Sequence, residues 1–232
     1  MRVRNIEIGG GKTMRHLWHT RSVRFILSGL IAFTTGCSRS NDQQFADVAQ
    51  MAKDGKTNVV DVREKPISGD EALAPLRNTV GLRKLNLDNS PVTDEGLQSL
   101  GPMPELRDLS LSRTLITDAA IPMIVQQFPG LEHLRLDRTA ISDKSLEEIV
   151  KLSSLKDLSL FRTRVSDTGC THIAKLSALK KISLDQTSIT DAGLKSLQTM
   201  KQLESLSVWK TQVTDEAAEE FAKERPTVKL NR

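Results

Sequence analysis

Few residues of this 232-residue sequence have the types and spacing that chemistry requires. The run from Gly9 to Thr13 (GGGKT) resembles the end of a phosphate-binding loop, but that motif needs glycine where Ile6 stands. Cys170 and His172 are close in sequence, but the helical pattern places them on opposite sides, so they cannot form a nucleophile and its base. We therefore expect no enzymatic activity and no cofactor.

Six regularly spaced aspartates could suggest a calcium-binding array. Each follows a Ser or Thr and precedes a segment with helical spacing, at Asp94, Asp118, Asp143, Asp167, Asp191 and Asp215. They lack the dense Gly-x-Asp spacing of calcium-binding solenoids. A Ser or Thr cap followed by Asp starts a helix, and the carboxylate favours the positive end of the helix dipole. We interpret these residues as helix starts and expect no metal site.

These aspartates are part of a longer repeated unit. The pattern LxxLxL recurs after 24, 25, 24, 24 and 24 residues, beginning at Leu82, Leu106, Leu131, Leu155, Leu179 and Leu203. Its period and pattern resemble the leucine-rich repeat family, of the helix-bearing ribonuclease-inhibitor-like type. The TxITDxGL segment resembles short bacterial repeats of that family.

This resemblance covers residues 57–232. It implies a curved α/β solenoid with a parallel sheet on the concave side and helices on the convex side. It also implies protein recognition, with no catalytic residues to carry over.

Alternation within each unit predicts which residues are buried. The fourth and sixth residues of LxxLxL, such as Leu85 and Leu87, point inward from a short strand. A Ser or Thr three residues later is expected to satisfy backbone atoms of the neighbouring coil. These residues are Ser90, Thr114, Thr139, Thr163, Thr187 and Thr211. Cys170 falls among the inward residues of the helices, where a buried small apolar residue is expected.

Residues 38–56 are predicted to form a tether and a helical cap. The tether is expected from Ser38 to Gln44, and the cap helix follows with Phe45, Val48 and Met51 on its apolar side. A degenerate first repeat begins near residue 57, with Val60 and Val62 in the inward strand positions. Residues 225–232 are expected to form the final strand of the array.

The first 37 residues have the composition of a bacterial secretory signal. A basic segment, residues 15–24, precedes a nine-residue apolar run, 25–33, which is too short to cross a bilayer as a helix. Gly36–Cys37 then resembles the lipobox of bacterial lipoproteins, although Thr34 stands where leucine is usual. We expect lipid attachment at Cys37, a firm anchor because it carries more than one chain. Ordinary secretion and an uncleaved anchor are the alternatives, and either Met1 or Met14 could be the start.

The charge of the chain gives no argument for nucleic-acid binding. The formal net charge is +4, from 33 basic and 29 acidic residues. The first 37 residues hold six of the basic and one of the acidic residues, which leaves 27 against 28. The repeat region is therefore close to neutral, and its net charge does not indicate nucleic-acid binding.

Irregular outward positions are the candidates for partner binding. Phe161 and Trp209 stand where equivalent residues are Asp or Ser, and aromatic residues beside arginine are enriched at interface hot spots. Local packing is the alternative for both. A further column holds Arg113, Arg138 and Arg162, expected to stack one strand spacing apart, about 5 Å. The predicted binding residues are Arg113, Arg135, Arg138, Phe161, Arg162, Trp209 and Lys210.

The predicted function is non-catalytic protein binding through the concave face, at the cell envelope. A polyanion- or carbohydrate-binding protein using the arginine column is the first alternative, and Asp88, Asp137 and Asp185 could instead neutralise that column. A purely structural envelope component is the other alternative. The sequence leaves the oligomeric state open.

Overall fold

The computed structural model describes residues 40–232 of the chain. The predicted signal segment in residues 1–37, the choice between Met1 and Met14, and the lipidation site at Cys37 lie outside these residues. Within the described part, short strands alternate with short helices along the chain. This alternation confirms the α/β solenoid that the repeat pattern predicts.

Eight strands form one parallel sheet, in the order in which they occur in the sequence. Equivalent residues of neighbouring repeats are paired, so that Leu85 lies beside Leu109, which lies beside Leu134. The strands are β1 (Val59–Asp61), β2 (Lys84–Asn86), β3 (Asp108–Ser110), β4 (His133–Arg135), β5 (Asp157–Ser159), β6 (Lys181–Ser183), β7 (Ser205–Ser207) and β8 (Lys229–Asn231). The repeat period thus sets the register, because each unit returns the chain to the adjacent strand.

The inward positions form one continuous core between the sheet and the helices. Leu85 and Leu87 are fully buried, and the equivalent residues of the later repeats are at most 4% exposed. Cys170 is also fully buried in this core, as its place in the helical column predicts. Apolar burial contributes roughly 25 cal/mol per Å² removed from water. Stacked leucines are therefore the main source of stability in each repeat.

In each repeat from Asp94 onward, the helical segment begins at the aspartate that the sequence marks as its start, whereas the first helix begins at Asn41. The helices are α1 (Asn41–Lys53), α2 (Asp94–Gln98), α3 (Ile121–Gln127), α4 (Asp143–Ile149), α5 (Asp167–Ile173), α6 (Asp191–Leu197) and α7 (Asp215–Glu224), with 3₁₀ helices at Asp70–Leu76 and Asp118–Ala120. Thr93 and Thr214 cap their helices by accepting from Gly96 N–H and Ala217 N–H. Pro75 lies inside the first 3₁₀ helix, where it cannot donate a backbone hydrogen bond.

The aspartates also connect neighbouring repeats, a role that the helix-start interpretation did not include. Asp94 accepts hydrogen bonds from Thr117 N–H at 2.8 Å and from its hydroxyl at 2.6 Å. The same two bonds join Asp70 to Thr93, Asp118 to Ser142, Asp143 to Ser166, Asp167 to Thr190 and Asp191 to Thr214. We name this set of bonds the aspartate ladder. It ends at Asp215, which forms an ion pair with Arg232.

The threonine column does not bridge to the neighbouring coil as expected. Thr114 and Thr163 donate their hydroxyls to the carbonyls of Leu111 and Leu160 within their own repeats, both at 2.7 Å. Each of these carbonyls also accepts the backbone N–H of the same threonine, at 3.3 Å, so the hydroxyl reinforces a turn within its own repeat. Only the first member follows the prediction, since Ser90 Oγ accepts from Ile67 N–H of the preceding coil.

Helix α1 covers the first end of the core, with boundaries and contacts that differ from the prediction. It begins at Asn41, capped by Ser40, so residues 41–44 are helical and are not part of a tether. Phe45, Ala49 and Ala52 form its buried face, whereas Met51 is partly exposed. Spacing of four and three residues follows the helical period, and small alanines allow close approach to the first repeat.

The other end of the array is closed by β8, which pairs in parallel with β7 as predicted. Arg225 donates hydrogen bonds from its guanidinium to the carbonyls of Gln198 and Met200 in the preceding repeat. These bonds satisfy carbonyl groups that follow α6 and hold the final turn against the array.

Candidate functional site

The predicted binding residues lie on and beside the open face of the sheet, the side that faces away from the helices. Arg135 is on β4, whereas the other six follow the strands, in the turn where the chain leaves the sheet. Four of the seven line one open depression of about 410 Å³, namely Arg113, Arg135, Arg138 and Phe161. Asp88, Asn89, Ser112 and Asp137 complete its lining. Arg162, Trp209 and Lys210 lie outside it.

Asp88, Asp137 and Asp185 are occupied by structural hydrogen bonds. Asp137 Oδ1 accepts from Ser159 Oγ at 2.5 Å and from Phe161 N–H at 2.9 Å. Asp88 does the same with Ser110 Oγ and Ser112 N–H, and Asp185 accepts from Trp209 N–H at 2.7 Å. Each aspartate therefore holds the backbone of the next repeat two residues after its strand, at Ser112, Phe161 or Trp209. The sequence indicates these bonds by its pattern two residues after each strand from β2 to β7, where Asp alternates with Ser, Phe or Trp.

Phe161 and Trp209 keep their side chains outside the core, each beside a cation. The Arg138 guanidinium lies 5.0 Å from the centre of the Phe161 ring, and Lys210 Nζ lies 4.2 Å from the centre of the Trp209 ring. Such contacts contribute roughly 0.5–1 kcal/mol at exposed sites. Trp209 remains 44% exposed, and Phe161 is half-buried. Local packing thus explains one face of each ring and leaves the remaining surface accessible.

The arginine column has a backbone conformation that the sequence did not reveal. Arg113, Arg138 and Arg162 have φ angles of 57°, 56° and 56°, in the left-handed region. Asn89, Gln186 and Lys210 share it at the equivalent turns. These residues were predicted to project from the strands, but each strand ends three residues earlier. The left-handed turn lets the N–H of Arg113 donate to Asp137 O of the next repeat, at 2.8 Å.

Guanidinium groups of this column do not stack in a line as predicted. Arg113 Nη1 lies 3.5 Å from Asn89 Oδ1 in the preceding repeat, whereas Arg138 lies against Phe161 in the following repeat. Their side chains thus lean in opposite directions along the array. Within residues 40–232, no salt bridge joins Arg113, Arg138 or Arg162 to an acidic residue. Asp88, Asp137 and Asp185 thus make no direct ion pair with these arginines, although Asp88 and Asp137 line the same depression as Arg113 and Arg138.

Charges at the opposite edge of the sheet are paired between repeats. Here, just before each strand, Glu132 contacts Lys156 at 2.6 Å and Arg107 at 3.9 Å. Lys180 and Glu204 form the next pair along, at 2.7 Å. The Lys156 ammonium, by hydrogen bond, lowers the pKa of Glu132, and Lys180 does the same for Glu204. Sequence analysis missed this edge, although the charged residues of both signs directly before β2 to β7 would have indicated it.

Cys170 does not have the properties of a nucleophile. Burial, with the nearby charges of Asp167 and Asp143, raises the pKa of its thiol to about 12. The thiolate that nucleophilic attack requires is therefore nearly absent at neutral pH. Among residues 40–232, no group of three or more His, Cys, Asp or Glu side chains could hold a metal ion.

Comparisons with known proteins agree with the repeat architecture. A family model described as a leucine-rich repeat matches residues 82–101. Internalin C2 from Listeria monocytogenes is similar in structure, with a TM-score of 0.57, 19% identity, and coverage of 78% of this chain and 93% of that one. A leucine-rich repeat protein from Leptospira interrogans has a TM-score of 0.53, 16% identity, and coverage of 81% and 51%, so this chain spans about half of its length. A search of curated proteins found no match.

The parallel sheet, the register of its repeats and these similarities define the class. The chain has the leucine-rich repeat fold, an α/β solenoid. In the part that the structure describes, no helix has the length and apolar character needed to cross a membrane.

Proposed function

We propose that this protein is a non-catalytic binding module that recognises a protein partner through the open face of its sheet. Phe161 and Trp209 carry the proposal. Their column holds Asp88 and Ser112 in other repeats, so the fold itself does not demand an aromatic side chain there. Partly exposed aromatic rings with neighbouring cations are the residue types that dominate interface energies.

The two rings occupy alternate repeats of one face. Phe161 follows β5 and Trp209 follows β7, so two strand spacings separate them, roughly 10 Å. Asp185 lies between them and holds Trp209 N–H in place. Both backbone positions are therefore fixed before a partner binds, which lowers the entropy cost of association.

A capture experiment with matched variants tests this proposal. The wild type and a Phe161→Ser/Trp209→Ser variant are used as baits in an envelope extract of the source organism. Serine is the residue at position 112 of the same column, so the variant is expected to fold normally. We expect one or more partners to be captured by the wild type and lost by the variant.

The control removes exposed apolar residues elsewhere. Val80 and Leu115 are 71% and 60% exposed, and neither lines the depression. A Val80→Ser/Leu115→Ser variant should capture the same partners as the wild type. Identical capture by all three baits would contradict a binding role for Phe161 and Trp209.

We also propose that the protein is anchored at the cell envelope by lipid on Cys37, in the periplasm or at the cell surface. The proposal is supported by the basic and apolar segments that precede Gly36–Cys37. Metabolic labelling with a fatty acid should mark the wild-type chain and fail to mark a Cys37→Ser variant. Label that persists in the variant would overturn anchoring at this residue, and release of unlabelled wild type into the medium would favour ordinary secretion.

A further inference from the structure

We infer that the partner presents an acidic, extended segment to four arginines at the edge where the strands end. This inference rests on the proposed protein-binding function and specifies the chemistry of its partner. The four residues, named here the arginine edge, are Arg113, Arg135, Arg138 and Arg162. All four are exposed.

The first argument is the contrast between the two edges of the sheet. Before the strands, Arg107, Lys156 and Lys180 all have glutamate partners in an adjacent repeat. The fold therefore readily allows charge pairing across one strand spacing. At the arginine edge, no such pair exists among the described residues, although Asp88 and Asp137 line the same depression. The exposed guanidinium groups of these four residues can therefore bind an external anion.

The second argument is conformational. Left-handed backbone is unfavourable for residues other than glycine, and asparagine tolerates it better than most. Asn89 occupies this turn in the first regular repeat, but Arg113, Arg138 and Arg162 occupy it in the next three. The side chains of Arg113 and Arg138 each make a single exposed contact, with Asn89 and with the Phe161 ring, so a gain in ligand binding explains arginine at these turns better than folding does.

The third argument selects an acidic peptide over a dense polyanion. Asp88 and Asp137 line the depression, where a chain of closely spaced sulfates or phosphates would be repelled. An extended peptide has side chains on one face at intervals of roughly 6.6 Å, with other groups between them. Its carboxylates can reach Arg113 and Arg138, which lean apart, while an apolar residue contacts the Phe161 ring.

The test measures binding of synthetic probes by fluorescence anisotropy, at low and at physiological salt. The probes are a peptide in which glutamate alternates with serine, the same peptide with glutamine for glutamate, and dextran sulfate. We expect the wild type to bind the glutamate peptide in preference to the other two. Its affinity should fall as salt rises, because exposed charges are screened.

Two variants that remove the same charge locate the site. Arg113→Asn/Arg138→Asn/Arg162→Asn should weaken binding of the glutamate peptide at least about tenfold, since hydrogen bonds to charged groups contribute that much or more. Lys144→Gln/Lys175→Gln/Lys195→Gln removes three exposed lysines from the helical side and should bind like the wild type. Thermal unfolding of both variants verifies that they are folded.

Three outcomes would overturn the inference: failure of the wild type to bind the glutamate peptide, equal loss in both variants, or preference for dextran sulfate. The last outcome would identify a polyanion site instead. The inference can also be overturned while the proposed function stands. If the Phe161→Ser/Trp209→Ser bait loses the captured partner while the triple arginine variant retains it, protein binding stands and the acidic segment is wrong.

Discussion

At the scale of single residues, Asp118 shows how one member of the aspartate ladder joins two repeats. It accepts from Ser142 N–H at 2.7 Å, from the Ser142 hydroxyl at 2.5 Å and from the Ser145 hydroxyl. Burial opposes ionisation of this carboxyl, but the hydrogen bonds outweigh it and lower the pKa of Asp118. Its ionised form is therefore stabilised by the next repeat as well as by its own helix.

Asp118→Ala is expected to lower the free energy of unfolding by about 2 kcal/mol, because it leaves donors of the next repeat unpaired. Asp215→Ala is the matched control. It removes a first-turn carboxylate in the same way, together with an exposed ion pair to Arg232, but it holds no following cap residue and should cost much less. Urea unfolding measures both. Equal losses would show that the helix dipole alone accounts for the aspartates.

The lowered pKa of Asp118 also determines how stability varies with pH. A carboxyl whose folded pKa lies below its unfolded value stabilises the protein above that unfolded value, about 4. This contribution is lost as the pH falls through the folded pKa. Unfolding measured between roughly pH 2 and pH 6 should therefore show a shallower pH dependence in Asp118→Ala than in the wild type. An unchanged profile would contradict the role assigned to these bonds.

Substitutions at the turn positions of the arginine edge are predicted to raise the free energy of unfolding, in contrast to Asp118→Ala. Arg113→Asn and Arg162→Asn should each raise the free energy of unfolding by about 0.5 kcal/mol, because asparagine adopts the left-handed turn more readily. Arg138→Asn should gain less, since it also loses the contact with Phe161. Arg135→Asn is the control, because its position on β4 has no left-handed backbone, and it should gain nothing. Denaturant midpoints test this, and destabilisation at positions 113 and 162 would contradict it.

At the scale of elements, α1 covers the first end of the core through Phe45, Ala49 and Ala52. Phe45→Ala should lower the free energy of unfolding by about 3 kcal/mol, because it removes a fully packed ring. Met51→Ala should cost less than about 1 kcal/mol, since that side chain is partly exposed. Urea unfolding of both variants measures the difference. Similar losses would instead favour the apolar side formed by Phe45, Val48 and Met51 that the sequence predicts.

Sequence analysis predicted the elements better than it predicted their side chains. The regular spacing from Leu82 to Leu203 predicts the strand order, because each repeat must bury the same leucines against its neighbour. The same spacing does not predict the backbone conformation of the turn at Arg113 or the direction in which its guanidinium points. Both depend on contacts with Asn89 and Asp137 in other repeats, which no local pattern encodes.

At the scale of the whole described region, stability and binding use separate parts of each repeat. Inward leucines, the aspartate ladder and the paired charges before the strands join each unit to the next, as expected for an array whose contacts are between neighbours. Binding is assigned to side chains that these contacts leave accessible. A partner could therefore change over evolution by substitution at positions such as Phe161 and Arg138 without loss of the fold.

Site-specific photocrosslinking in whole cells tests the binding surface most directly. A photoreactive benzoylphenylalanine replaces Phe161 in one variant and Lys175, on the helical side, in another. We predict a covalent adduct with a distinct protein from position 161 and none from position 175. Adducts from position 175 with none from position 161, or the same adducts from both, would contradict a protein-binding site on the open face.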